Sequence, residues 1–104
     1  MSMLEHYVVF RPLPGREPEL AAALAELGAG LAGGVAGMSD LTWGANTNRS
    51  GLDRGFTHGC LGRFEDRAAF DRYWHHPAHE RFMRALDAIC EDRFALDYLS
   101  ASAP

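Results

Sequence analysis

The sequence predicts one α+β domain with the element order β-α-β-β-α-β and an antiparallel sheet covered by helices on one face. Three observations carry this. Short β-prone runs alternate with stretches of helical periodicity. Pro and Gly clusters fall between them and cut the chain into elements. The length of 104 residues suits one domain, 1–104, with its core over 4–99 and a tail of small residues at 100–104 expected to be flexible.

Leu4 to Arg11 reads as the first strand. Tyr7, Val8, Val9 and Phe10 form a β-prone run that Pro12 and the Pro14-Gly15 turn signal end. The run is apolar on both faces, which suits a strand covered on both sides. A helix follows from Glu17 to about Leu31. Leu20, Leu24, Leu27 and Leu31 recur at helical spacing, and Pro18 suits a first turn. Gly28, Gly30, Gly33 and Gly34 are expected to fray its end. Ser39 to about Ala45 reads as the second strand, with Leu41 and Trp43 on one face. Asn46 to Arg54 is a polar connection. The third strand runs from Gly55 to Phe64, and Phe56, His58, Cys60 and Phe64 share a face by the two-residue period.

Glu65-Asp66 opens a helix whose buried stripe is Phe70, Tyr73 and Trp74. Pro77 stops that helix and starts another, which carries Phe82, Leu86, Ile89 and Cys90 on one side. The second helix is therefore split. Arg93 to Leu99 closes the chain as the last strand. This is the ferredoxin-like order. It leaves one apolar sheet face without helices, and such a face calls for a partner. The simplest partner is a second copy, giving a homodimer through the sheet faces, a dimeric α/β barrel.

Composition narrows the function classes. The hydrophobic fraction of 47% and charged fraction of 23% are those of a folded globular chain. A net charge of −4 with no basic run argues against a nucleic-acid surface. Cys60 and Cys90 are too few for a disulfide scaffold and form no CxxC pair, so both read as reduced, buried thiols. Leu20 to Met38 is almost free of charge, but Glu26 and five glycines interrupt it, and its large side chains lie on one stripe. Met1 to Phe10 lacks the basic start of a signal peptide. A soluble, cytoplasmic protein without membrane contact is expected.

Four segments resemble the stress-responsive A/B-barrel family. They are His6-Tyr7-Val8-Val9-Phe10, Thr42-Trp43-Gly44, Phe56-Thr57-His58 and Tyr73-Trp74-His75-His76-Pro77-Ala78-His79. The resemblance spans Leu4 to Leu99, and His-Pro-Ala-His is its most specific part. It implies a ferredoxin-like protomer whose sheet packs into a barrel across a dimer. The family is functionally mixed. It holds stress-induced plant proteins with no clear enzymatic role and cofactor-free plant polyketide cyclases that close a ring by aldol chemistry. In the cyclases the second His of the motif is the base, a Tyr shortly before it stabilises the intermediate's oxygen, and strand histidines line the pocket. By position the resemblance puts His79 as base, Tyr73 as donor, and His6 and His58 as pocket-lining residues; Trp74 joins them as a candidate substrate-binding residue, beside the reading that it is core with Trp43 and Phe70. One departure concerns Gly28 or a near neighbour, where the cyclases carry a pocket-lining Tyr. A related group of dimeric barrels oxygenates aromatic compounds without a cofactor.

The residues themselves support an acid–base reading beside a structural one. His79 falls in the first turn after Pro77, where the helix dipole disfavours a second positive charge. A neutral imidazole can remove a proton next to a carbonyl, and the Tyr73 hydroxyl can donate to the enolate oxygen. The expected activity is a cofactor-independent lyase or cyclase on a small carbonyl or polyketide-like compound. The alternatives are a non-enzymatic stress-related homodimer that binds a small hydrophobic or phenolic ligand, and a cofactor-free oxygenase. No metal site is expected. His75, His76 and His79 have suitable spacing for two ligands, but Pro77 distorts the helix and no carboxylate partner is evident. A cation held by backbone carbonyls around Leu31 to Val35 would leave no mark in the sequence. Cys60 with His58 lacks a third, orienting group for nucleophilic catalysis. The glycines from Gly28 to Gly37 do not spell a phosphate loop.

Overall fold

A computed structural model describes residues 2–103. Met1 and Pro104, the ends of the expected domain and tail, lie outside the described residues. The elements are β1 (Leu4–Pro12), α1 (Glu17–Gly30), β2 (Met38–Ala45), β3 (His58–Phe64), α2 (Arg67–Trp74), α3 (Pro77–Ile89) and β4 (Cys90–Leu99). The sheet order is β2-β3-β1-β4, and every neighbouring pair is antiparallel. This is the ferredoxin-like fold with a split second helix. The Cα extents of 40 × 36 × 17 Å are those of a two-layer slab.

Register decides which side chains meet, because directly paired residues share a face. Leu4, His6, Val8 and Phe10 pair with Phe64, Gly62, Cys60 and His58 on one side and with Leu99, Asp97, Ala95 and Arg93 on the other. This face carries the helices. Phe10 and Phe64 are fully buried there, against Leu20, Leu24 and Leu27 of α1, Tyr73 of α2, and Phe82 and Leu86 of α3. The opposite face carries no helix. Tyr7, Val9, Leu61, Phe94, Leu96 and Tyr98 stand on it, and four of these are large side chains at least 40% exposed: Tyr7, Phe94, Leu96 and Tyr98.

Four strand boundaries differ from the sequence reading. β2 opens at Met38 rather than Ser39. β3 begins at His58, not Gly55, because Arg54 and Gly55 turn through left-handed backbone (φ 55° and 80°) that no ladder accepts. β4 begins at Cys90 rather than Arg93, directly off α3, so Cys90 belongs to the strand. A register shift at Arg11/Pro12 lets Pro12, which has no donor, close the ladder against it. Gly28 and Gly30 lie within α1 rather than fraying it. They are sites of close approach: a Cβ on Gly28 would collide with the Trp43 indole, and one on Gly30 would come within 2.6 Å of the Ala78 Cβ. Ser100 is also tied down, its N–H donating to the Met3 carbonyl at 2.8 Å. No helix among the described residues is long and apolar enough to cross a membrane.

Asp66 caps α2, its carboxylate accepting from the Ala69 N–H at 2.9 Å. Asp66→Ala removes this acceptor and should cost about 1 kcal/mol. In a calorimetric melt that is a fall in Tm of roughly 4–8 °C for a domain of this size.

Candidate active site

The helix break builds the site. Pro77 excludes helical backbone at the residue before it, and His76 is extended there (φ −67°, ψ 138°). The His76 side chain becomes the cap of α3, its Nδ1 accepting from the Ala78 N–H at 3.0 Å. This corner folds the first turn of α3 back over the end of α2. The Nδ1–H of His79 donates to the Trp74 carbonyl at 3.0 Å. A carbonyl only accepts, so the hydrogen sits on Nδ1 and the lone pair on Nε2. His79 is 3% exposed, and its ring lies 4.5 Å from that of Tyr73 and 4.8 Å from that of Trp74, centroid to centroid.

His6 approaches from β1. Its Nδ1–H donates to Asp97 Oδ1 of β4 at 2.5 Å, across the directly paired position. Its ring stands edge-on to Phe70 at 5.0 Å and lies 6.3 Å from Tyr73. The same logic applies as for His79: Nδ1 is committed, so neutral His6 carries its lone pair on Nε2. A cavity of about 120 Å³ is lined by His6, Tyr73, Trp74 and His79, with apolar walls from Val8, Phe10 and Phe82. It opens beside the edge strand, where Trp74 and Ala95 are exposed.

Four of the five expected site residues thus share one cavity. His58 does not join them. It pairs with Phe10 at the end of β3, beyond Cys60, and its Nδ1 is hydrogen-bonded to the Thr57 hydroxyl at 2.9 Å. It lines a separate open groove with Trp43, Ala45 and Asn46. Fully buried Phe10, across the ladder, belongs to the wall of the His79 cavity. Among the described residues no three His, Cys, Asp or Glu side chains converge as a metal-holding group.

The family model of the stress-responsive A/B barrel domain matches residues 4–100. The chain belongs to this family. Comparison with curated proteins gives no match. Among solved structures, a dimeric ferredoxin-like protein of unknown function from Jannaschia sp. CCS1 is 30% identical, with a TM-score of 0.82 over 92% of this chain and 97% of that one. A protein from Arabidopsis thaliana is 26% identical, with a TM-score of 0.79 over 97% and 98%. A hydroxynitrile lyase from Passiflora edulis is 21% identical, with a TM-score of 0.76 over 97% and 95%. That last likeness is one of fold.

Within this A/B barrel domain the site's ionisations follow from burial. Burial holds the His79 imidazole below its ordinary value of 6.5. The Trp74 carbonyl offsets this in part, and neighbouring His6 pushes in the same downward direction. His79 is therefore neutral at pH 7. Burial pushes the Tyr73 hydroxyl well above its ordinary value, with Cys60 adding to the shift, so Tyr73 stays a donor. Burial also pushes the Cys60 thiol up to about 12, which leaves no thiolate for nucleophilic chemistry at neutral pH.

A pH dependence of stability follows. The unfolded chain binds a proton at His79 as pH falls through 6.5, while the folded chain resists it, so stability should decline on acidification. Melting the wild type and His79→Gln between pH 7.5 and 5 should show a smaller decline in the variant.

Asp97 escaped the sequence reading. The alternation in β4 puts Phe94, Leu96 and Tyr98 on one face and Arg93, Ala95 and Asp97 on the other. That alternation was a usable signal that the small and polar set faces the helices.

Proposed function

We propose that this A/B barrel protein is a cofactor-independent enzyme that moves a proton next to a carbonyl in a small substrate, as a lyase does. The observation that carries this reading is one small cavity holding a neutral, tautomer-fixed imidazole beside an un-ionised phenol. His79 Nε2 takes the proton from the carbon next to the carbonyl. The C–H electron pair moves into an enolate, whose oxygen accepts from the Tyr73 hydroxyl. The His79–Trp74 bond holds the imidazole in the tautomer this needs. His6, held by Asp97, is a second imidazole on the same space and serves to bind and orient the substrate.

Size favours a small carbonyl over a polyketide-like compound. An engineered cavity of about 150 Å³ takes benzene. A cavity of about 120 Å³ therefore suits a molecule of about six non-hydrogen atoms or fewer. Drug-sized ligands occupy about 300–1,000 Å³. The cavity also speaks against a purely structural joint, because Trp74 lines it without filling it. The fold is shared with a hydroxynitrile lyase, so lyase chemistry is within reach of this architecture. The test is exchange of α-hydrogens for deuterium in small carbonyl compounds, followed by proton NMR in D2O. Exchange at the buffer rate with every compound tried would end this reading.

We also propose that the protein is a homodimer through its bare sheet face. Support comes from the apolar set Tyr7, Leu61, Phe94, Leu96 and Tyr98, and from relatives described as dimeric. Leu96→Glu places a charge opposite Tyr7 on that face. Light scattering at micromolar concentration should give a dimer for the wild type and a monomer for the variant. A monomeric wild type would contradict the proposal.

A further inference from the structure

One charged residue of the cavity has no part in the proton transfer. Arg93 stands on the helix-covered face of β4, paired with Phe10, and lines the cavity wall at its opening. Its Nη2 donates to Asp87 Oδ1 at 2.7 Å and its backbone N–H to Asp92 Oδ1 at 2.9 Å, and the other guanidinium donors have no side-chain partner among the described residues. Asp87 is 70% exposed, so solvent weakens its hold on the guanidinium. Glu91 and Asp92, the neighbouring acids, are engaged by Arg11. The cavity therefore has a partly sheltered cation at one end. Further along β4, Asp97 does not line the cavity and is already taken by His6. Three residues lie between the two, and four steps of strand put them about 14 Å apart along β4. Small Ala95 lies between them and leaves the way in open.

We infer that the substrate is a small oxo acid: a carbonyl compound of about six non-hydrogen atoms whose carboxylate is bound by Arg93. The planar guanidinium fork matches a carboxylate, and such bidentate, charge-assisted bonds are among the stronger hydrogen bonds. The polarity also sets orientation. The carboxylate turns to Arg93 and away from Asp97, and the carbonyl and its α-carbon are left beside Tyr73 and His79. This assignment rests on the acid–base reading of the same cavity, and it adds the substrate class.

The test uses pyruvate and its neutral isostere pyruvamide. Each is titrated into the full-length protein while the His6 and His79 ring signals are followed by NMR, and α-hydrogen exchange is measured in D2O. Pyruvate should bind at least about tenfold more tightly than pyruvamide. Arg93→Gln should collapse that preference towards one, and Arg93→Lys should keep part of it. Asp87→Asn, which frees the guanidinium, should strengthen the preference. Equal binding of the two probes, no binding of pyruvate, or a preference that survives Arg93→Gln would overturn the inference. The two readings fail separately. Equal, His79-dependent exchange of both probes sinks the oxo acid and keeps the base. Arg93-dependent binding of pyruvate without exchange sinks the base and keeps the anion site.

Discussion

His79→Gln should lower α-hydrogen exchange by roughly 10²–10⁴-fold, the usual contribution of a positioned general base. Gln is chosen because its side-chain amide can still donate to the Trp74 carbonyl, the bond that His79 Nδ1–H makes at 3.0 Å. The corner between α2 and α3 is then kept while the basic nitrogen is lost. The pH profile gives a second reading. Only neutral His79 can accept the proton, and burial holds its pKa below 6.5. The wild-type rate should therefore rise with pH below 6.5 and be level around pH 7. The variant's residual rate should show no such step. A variant with wild-type exchange would remove His79 from the mechanism.

Tyr73→Phe should lower the same exchange by roughly 10²–10³-fold, the cost of losing one donor to a developing oxyanion. The ring is 1% exposed and packs against Phe64 at 5.3 Å and His79 at 4.5 Å, and Phe preserves those contacts. The Tyr73 hydroxyl has no hydrogen-bond partner among the described residues, so nothing in the protein is orphaned by its loss. Thermal stability should accordingly stay level or rise slightly. That combination separates chemistry from structure. A hydroxyl that served the fold would cost stability when removed. One that serves a substrate costs only rate. Exchange unchanged in Tyr73→Phe would remove the Tyr73 hydroxyl from the mechanism.

The helix break is where sequence and structure agree most closely, because its cause is covalent. Pro77 has no N–H and disfavours helical backbone at His76, a local constraint that the sequence displays directly. The apolar periodicity of α1 is equally local. Leu20, Leu24 and Leu27 lie on one stripe by the 3.6-residue repeat alone. Gly28 and Gly30 were harder. Glycine late in a helix reads as an end signal, yet here both sit where Trp43 and Ala78 press on the helix from other elements. That reason is invisible until α1 has been packed.

The sequence alone determined the element order, the ferredoxin-like class, the family, and the pairing of Tyr73 with His79, since these rest on spacing, on proline and on a motif contiguous in the chain. Only the tertiary structure decided which distant residues complete the cavity. His6 meets Asp97 across 91 residues of chain because β1 pairs with β4 in one register, and a slip by one residue would turn every side chain to the other face. The same register carries His58 past the cavity to a position opposite Phe10 and brings Arg93 to its opening. Strand parity says which face a side chain takes. How far along that face it meets its neighbours is set by the ladder, and the ladder forms only when the whole sheet does.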